Sequence, residues 1–248
     1  MSDRVVVITG ASGGIGAALA EELGRRGATL SLVARRADAL SDVAARSGPR
    51  AQAIVGDMTK RLDARRVVDE TLRRCGRVDV WVNNVGQGIT RPPSQLTDDD
   101  IDAMMLTNVK SALYGIQEIL PHFTSRGEGQ IINISSMLGR VPWAIPRSAY
   151  SGAKHFLNAL TASLRAELKD AYPGIVVTLV SPGVVRTEFG LHSLHGGIDS
   201  RQLPDSQSAE EVAVVIADAI ESRRADIYTR KGARDRVLGY FGSVGEDP

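Results

Sequence analysis

Val5-Val6-Val7-Ile8 is a short, unbroken, β-branched run. A strand with no polar residue in it has to be covered on both faces, which is the situation of a parallel sheet between two layers of helices. The next residues, Thr9-Gly10-Ala11-Ser12-Gly13-Gly14-Ile15-Gly16, lead into a helical pattern that continues to about Arg26. Strand, glycine loop and helix in this order is the context that gives a glycine motif meaning. Small residues let the backbone approach a pyrophosphate, and the N–H groups at the helix start receive its charge. A plain strand-to-helix turn needs one glycine, whereas this loop has four in seven residues.

The alternation continues along the chain. Further strands are expected at Thr29–Ala34, Ala51–Gly56, Val78–Val82, Gln130–Ile134 and Ile175–Val180, with a short final one at Asp226–Thr229. Between them lie helical patterns. Arg61–Cys75 buries Val67, Val68, Thr71 and Leu72. A long helix capped by Thr97, with Asp98, Asp99 and Asp100 in its first turn, reaches about Phe123. Ser148–Tyr172 carries Leu157, Leu160, Leu164 and Leu168 on one face, and Ala209–Ser222 is the last clear helix. There is no repeat, low-complexity block or linker. The expectation is one α/β domain over residues 1–248, a doubly wound Rossmann fold with a seven-stranded, mainly parallel sheet flanked by helices. The segment 188–205 has weak periodicity with several Gly, His and Leu residues, and reads as a mobile substrate lid. The tail Gly239–Pro248, with three glycines and a terminal proline, is expected to fray.

Composition narrows the function classes. The formal net charge of +1 gives no electrostatic case for nucleic acid or membrane as a partner. No apolar run approaches the roughly 20 residues that span a bilayer, and the N-terminus has no signal-peptide layout, so a cytoplasmic protein is expected. The single cysteine, Cys75, rules out an internal disulfide and reads as inert packing. His192 and His195 are three apart, but no acidic or thiol partner completes a ligand set, and no metal is expected.

Ligands of such sheets bind beyond the carboxyl ends of the strands, and the chemistry-bearing residues cluster there. Arg35 and Arg36 end the second strand, where an acid would hydrogen-bond the ribose of NAD; no acid follows until Asp38. An arginine can pair with a 2′-phosphate instead, which favours NADP(H); two solvated arginines are the plainer alternative. Asp57, followed by Met58, could cap the next helix. Asn83-Asn84-Val85-Gly86 ends the fourth strand as a turn former. Asn108 sits mid-helix, where Asn has mediocre propensity. Ser135-Ser136 ends the fifth strand, and Pro182-Gly183 marks a turn after the sixth. Tyr150 and Lys154 are four apart on a helix and share one face. A cation held near a phenol favours the phenolate and lowers the tyrosine pKa, which suits proton exchange with an alcohol or carbonyl. Tyr-x-x-x-Lys by itself occurs by chance on many helices.

Taken together, these motifs resemble the short-chain dehydrogenase/reductase family, in order and over nearly the whole chain from Thr9 to Thr187. The loop is similar to that family's Thr-Gly-x-x-x-Gly-x-Gly, and Asn83-Asn84-Val85-Gly86 to its Asn-Asn-Ala-Gly. The resemblance implies cofactor contacts from Gly10, Ser12, Gly14, Ile15, Gly16, Arg35, Arg36, Asp57, Met58, Asn84, Gly86, Pro182, Gly183, Val185 and Thr187, with Asp57 at the adenine and Thr187 at the carboxamide. It implies a catalytic set of Asn108, Ser136, Tyr150 and Lys154: Tyr150 as acid or base, Lys154 on the nicotinamide ribose, Ser136 on the substrate oxygen, and Asn108 at a kink whose freed carbonyl holds a water near the lysine. Ser136 lies fourteen residues before Tyr150, one more than is common in the family, and Ser135 is the second choice. Met137, Leu138, Trp143, Phe189 and Leu191 would wall a substrate with a hydrophobic part. A homodimer or homotetramer is implied as well. Two alternatives stay open: a non-catalytic NADP(H)-binding regulator and an NAD-dependent alcohol dehydrogenase.

Overall fold

The computed structural model describes residues 1–245. In chain order the elements are β1 (Val5–Thr9), α1 (Gly14–Arg25), β2 (Thr29–Ala34), α2 (Ala37–Arg46), β3 (Ala51–Val55), α3 (Arg61–Cys75), β4 (Val80–Asn83), α4 (Asp98–Met105), α5 (Ser111–Arg126), β5 (Gly129–Ile134), α6 (Ser148–Leu168), β6 (Ile175–Ser181), α7 (Ala209–Ser222), β7 (Asp226–Tyr228) and α8 (Ala233–Phe241). The seven strands form one sheet in the order β3-β2-β1-β4-β5-β6-β7. Every pairing is parallel.

The β1 run shows why both faces had to be apolar. Val6 and Ile8 pack with Leu19, Leu23, Val212 and Ile216 of α1 and α7. Val7 points the other way, into a cluster with Trp81, Val67 and Ile119 on the α3–α5 side. Period-two alternation thus sends successive side chains into two separate cores, one per helical layer. The order of strands reverses between β1 and β4, so the carboxyl ends of these two strands flank the crevice where such sheets take ligands.

Gly16 is where sequence and packing meet most tightly. A Cβ there would run into the Gly10 carbonyl oxygen and lie 2.6 Å from the Asn84 amide nitrogen. That amide already donates to the carbonyls of Thr9 and Gly10, so neither neighbour is free to move. Gly16→Ala is therefore expected to cost about 1–3 kcal/mol through overpacking, lowering the thermal midpoint by several degrees. Thermal unfolding by circular dichroism checks this.

Three expectations need correction. The helix that opens at Thr97 does not run unbroken to Phe123: a π-helical stretch, Leu106–Lys110, separates α4 from α5 and contains Asn108. Asp57 does not cap α3, whose N-cap is Lys60; its carboxylate instead accepts from the backbone N–H and hydroxyl of Thr59, forming a local turn. The expected fraying from Gly239 is contradicted by α8, which extends to Phe241. Ala233 and Val237 of that helix pack on Met137 and Val141, a tertiary contact that the glycine-rich sequence does not announce. The part of that expectation at 246–248 lies outside the described residues. No helix among the described residues is long and apolar enough to cross a membrane.

Candidate active site

A cavity of about 1000 Å³ runs along the carboxyl ends of the strands. At one end it is lined by Gly10, Ser12, Gly14, Ile15, Arg35, Arg36, Asp57 and Met58, and at the other by Ser136, Leu138, Trp143, Tyr150, Lys154 and Phe189. Asn84, Gly86, Pro182, Gly183, Val185 and Thr187 line its middle.

The glycine end has the uncapped helix start that can receive an anion. Gly13 stands at the N-cap of α1 and no side chain caps the helix, so its first N–H groups face the cavity without an internal partner. Gly10 and Gly14 take positive φ, +67° and +55°, a backbone course that side chains rarely adopt. Arg36 donates to the carbonyl and hydroxyl of Ser12 and so braces the loop. Arg35 is exposed beside it. Its charge, behind the Thr59 hydrogen bonds, helps hold the Asp57 carboxyl below its ordinary range against a desolvation penalty that acts the other way. Thr187 stands against Gly14, its methyl 3.3 Å from where a Cβ would be. Asn84 ties β1 to β4 at the switch point: its backbone N–H donates to the Thr9 hydroxyl at 3.0 Å.

At the other end, α6 carries Tyr150 and Lys154 into the cavity on one face, and both are buried. Lys154 Nζ donates to the Ile134 carbonyl at 2.9 Å. Gly86 sits where a Cβ would come within 3.1 Å of Asn108 Oδ1 and 3.5 Å of Lys154 Nζ, so the asparagine and the lysine meet around this glycine. Asn108 is fully buried; its Oδ1 accepts from the Gln87 N–H at 3.1 Å and its amide donates to the carbonyls of Gln87 and Met104. The two neighbouring serines diverge. The Ser135 hydroxyl bonds the Asn158 side chain, whose amide in turn donates to the Gly139 carbonyl. Ser136 accepts only from the Leu138 N–H at 3.1 Å among the described residues and stands beside Tyr150.

The electrostatics correct one expectation. Burial pushes the Tyr150 phenol up to about 12, with the Ser136 hydroxyl and then the Arg147 charge pulling it partly back. Burial likewise pushes the Lys154 ammonium down to about 8. Burial outweighs the depression expected from the lysine, whose Nζ lies over the ring face, 5.7 Å from the centroid, and donates to the Ile134 carbonyl. The chain's own groups therefore hold the phenol protonated at neutral pH.

Of the expected substrate wall, Phe189 packs on Tyr150 with ring centroids 5.7 Å apart. Leu138 belongs to the same apolar cluster. Trp143 is at the rim, 46% exposed, edge-on to Tyr240 of α8. Met137 lines the cavity while packing its buried side chain against α8, and Leu191 is exposed and does not line the cavity. The 188–205 segment is tied to the body by a parallel bridge between Ile89 and Leu194 and by His195, which meets Asp100 at 2.7 Å. Asp100 also pairs with Arg91 at 2.8 Å. His192 Nδ1 meets its own segment's Glu188 carbonyl. Cys75 is partly buried, takes a weak bond from Gln52, and burial pushes its thiol up.

Sequence reading missed Arg147. It lines the cavity one helical turn before Tyr150, and that spacing of three was the signal available. It also missed the braces behind the site, such as the Ser151 hydroxyl on the Leu138 carbonyl at 2.6 Å, which only the folded loop brings together.

The family model for short chain dehydrogenase matches residues 4–194. An uncharacterized oxidoreductase of Bacillus subtilis is 31% identical over 98% of this chain and 69% of its own. An A-factor type gamma-butyrolactone 1′-reductase (1S-forming) of Streptomyces virginiae is 35% identical over 92% of each chain. Among solved structures, a short-chain dehydrogenase/reductase of Burkholderia phymatum in complex with NAD superposes with a TM-score of 0.88 over 100% of this chain and 98% of that one, at 22% identity.

Proposed function

The chain belongs to the short-chain dehydrogenase family of oxidoreductases, and from that premise we propose that it moves a hydride between NADP(H) and a carbonyl or secondary alcohol whose carrier is partly hydrophobic. The observation that carries this reading is the convergence of Ser136, Tyr150 and Lys154 on a cavity that continues to an uncapped, glycine-lined helix start. The nicotinamide, when bound, supplies the hydride; the protein binds, orients and manages the proton.

In this reading Gly10, Ser12, Gly14, Ile15 and Gly16 cradle the pyrophosphate, Asp57 and Met58 border the adenine, and Asn84 and Gly86 underlie the ribose side. Pro182, Gly183, Val185 and Thr187 border the nicotinamide. Tyr150, protonated by its own surroundings, gives its proton to the substrate oxygen in reduction. Ser136 has hydroxyl capacity free to steady the charge that develops on that oxygen. Lys154 holds the ribose, and Asn108, at the π-helical break, keeps the Gln87 backbone and the lysine's surroundings in place. Segment 188–205 is the lid, with Phe189 closing over Tyr150. A homo-oligomer in the cytoplasm completes the reading.

Arg35 is the residue assigned to the 2′-phosphate, with Arg36 bracing the loop beside it. Arg35→Asp is expected to weaken NADPH by about 10- to 100-fold, the loss of one charge-assisted pair, and to weaken NADH far less. Fluorescence titration of both cofactors reads this; equal loss for both would remove Arg35 from that role. The reading as a whole is tested by NADPH absorbance loss over a panel of ketones, 3-oxoacyl thioesters, quinones and steroids. Turnover of at least one class supports it; NADPH binding without turnover of any would favour the non-catalytic regulator.

A further inference from the structure

We propose that Arg147 is the substrate anchor of this site, and that the carbonyl compound it serves carries a carboxylate. The inference rests on the reading of the cavity given above and names its substrate class.

Arg147 is the N-cap of α6, one turn ahead of Tyr150, and its side chain lines the same cavity as Ser136, Leu138 and Phe189. Its position is prepared by the backbone opposite. A Cβ on Gly88 would lie 2.6 Å from the Arg147 guanidinium, 2.5 Å from Ser193 Oγ and 3.1 Å from the Phe189 ring. The glycine thus leaves the space that the guanidinium fills. The Gly88 loop is itself held, its carbonyl accepting from the Leu194 N–H at 2.9 Å.

What the guanidinium lacks is a charge to answer it. Its one hydrogen bond among the described residues goes to the Ser193 hydroxyl, at 3.3 Å. That hydroxyl donates onward to the Phe189 carbonyl, so it is an acceptor for the arginine and nothing more. No carboxylate of the described residues lies within the 4.0 Å of an ion pair. Glu188, which shares the cavity, is engaged by Arg201. Elsewhere partly buried arginines are answered in two ways: Arg26 meets Glu22 and Asp218, Arg126 meets Asp79 and Arg91 meets Asp100, while Arg4 and Arg165 donate to backbone carbonyls. Arg147 has neither kind of partner among the described residues, and Arg230, on the same cavity, also pairs with no carboxylate of the described residues. A partly buried cation in a cleft without a counter-ion is unfavourable unless a ligand supplies one. The start of α6 adds its own positive end at the same place.

The geometry selects a carboxylate over a phosphate. One planar guanidinium pairs with one carboxylate through two parallel hydrogen bonds. A phosphate dianion would take more donors than this one guanidinium, and the neighbouring Phe189 and Leu138 side chains offer none. Arg147 and Tyr150 stand one turn apart at the start of α6 and line the same cavity, so one small molecule can meet both.

The test uses the full chain saturated with NADPH and a series of aryl oxo acids of increasing chain length, each beside its methyl ester. Calorimetric titration gives the ratio of ester to acid dissociation constants. For at least one chain length the acid is expected to bind about 10- to 100-fold more tightly than its ester, the range of a hydrogen-bonded charge pair. Arg147→Gln brings the ratio to about one, and Arg147→Lys keeps part of it. A ratio near one throughout in the wild type, or a preference that survives in Arg147→Gln, overturns the assignment; the wild-type arm decides alone if a variant does not fold. Turnover of the neutral esters with NADPH is followed separately, so failure of the reductase reading and failure of the anchor are told apart.

Discussion

Tyr150→Phe is expected to lower turnover by about 10³-fold, within the range for losing a positioned acid, while NADPH still binds. Tyr150 is 7% exposed and already packs with Phe189, so the ring of phenylalanine fills the same space and the apolar contacts persist. Only the hydroxyl goes, and with it the proton donor beside Ser136. The glycine end of the cavity is built from other elements and is untouched. Stability should move little or rise, because the hydroxyl is buried without a strong partner of its own. Steady-state rates together with a fluorescence titration of NADPH check this. A variant that turns over at near-normal rates would remove Tyr150 from the chemistry.

Lys154→Met is expected to separate stability from activity. Burial holds the ammonium's pKa at about 8, below the roughly 10.4 of an unfolded lysine. Between those values the unfolded chain binds more protons, so stability rises with pH across that window. Below about pH 8 the whole penalty is present: about 3 kcal/mol at 1.4 kcal/mol per pKa unit. Methionine fills the volume without the charge and forgoes the hydrogen bond to the Ile134 carbonyl, which takes back about 1 kcal/mol. The net expectation at pH 7 is a gain of about 2 kcal/mol, several degrees in thermal midpoint. Activity should fall by about 10²-fold or more, as is usual where a strained group is kept for function. Denaturant unfolding at pH 7 and pH 9.5 reads both signs: the wild type gains stability on going up in pH and the variant does not. If the variant is less stable at pH 7, the ammonium is not the burden described.

Much of this was legible in the sequence because the signals were periodic or local. The β1 run announced a strand between two helical layers, and Val6, Val7 and Ile8 divide between two cores as that requires. The glycine loop was legible because close approach leaves no alternative at Gly16. What failed depended on tertiary contact. α8 was missed because Gly239 inside it and the glycines that flank it lower helix propensity, while its stability comes from Val237 and Ala233 on Met137 and Val141. Asp57 read as a helix cap because the sequence does not show that α3 starts four residues later; the acid serves Thr59 instead. The expected net fall of the Tyr150 pKa is a rise instead because burial, which the sequence does not display, outweighs the nearby cation. The divergence of Ser135 and Ser136 is likewise visible only once Asn158 of α6 claims the first.

The central claim, hydride delivery to a carbonyl held beside Tyr150, is tested most directly by isotope transfer. NADPH carrying deuterium at the transferable position is incubated with the carbonyl panel and either the wild type or Tyr150→Phe, and the alcohols are analysed by mass spectrometry. The expected result is one deuterium on the carbinol carbon with the wild type and about 10³-fold less product with the variant. Bound NADPH that labels no member of the panel, or equal labelling by both proteins, would contradict it.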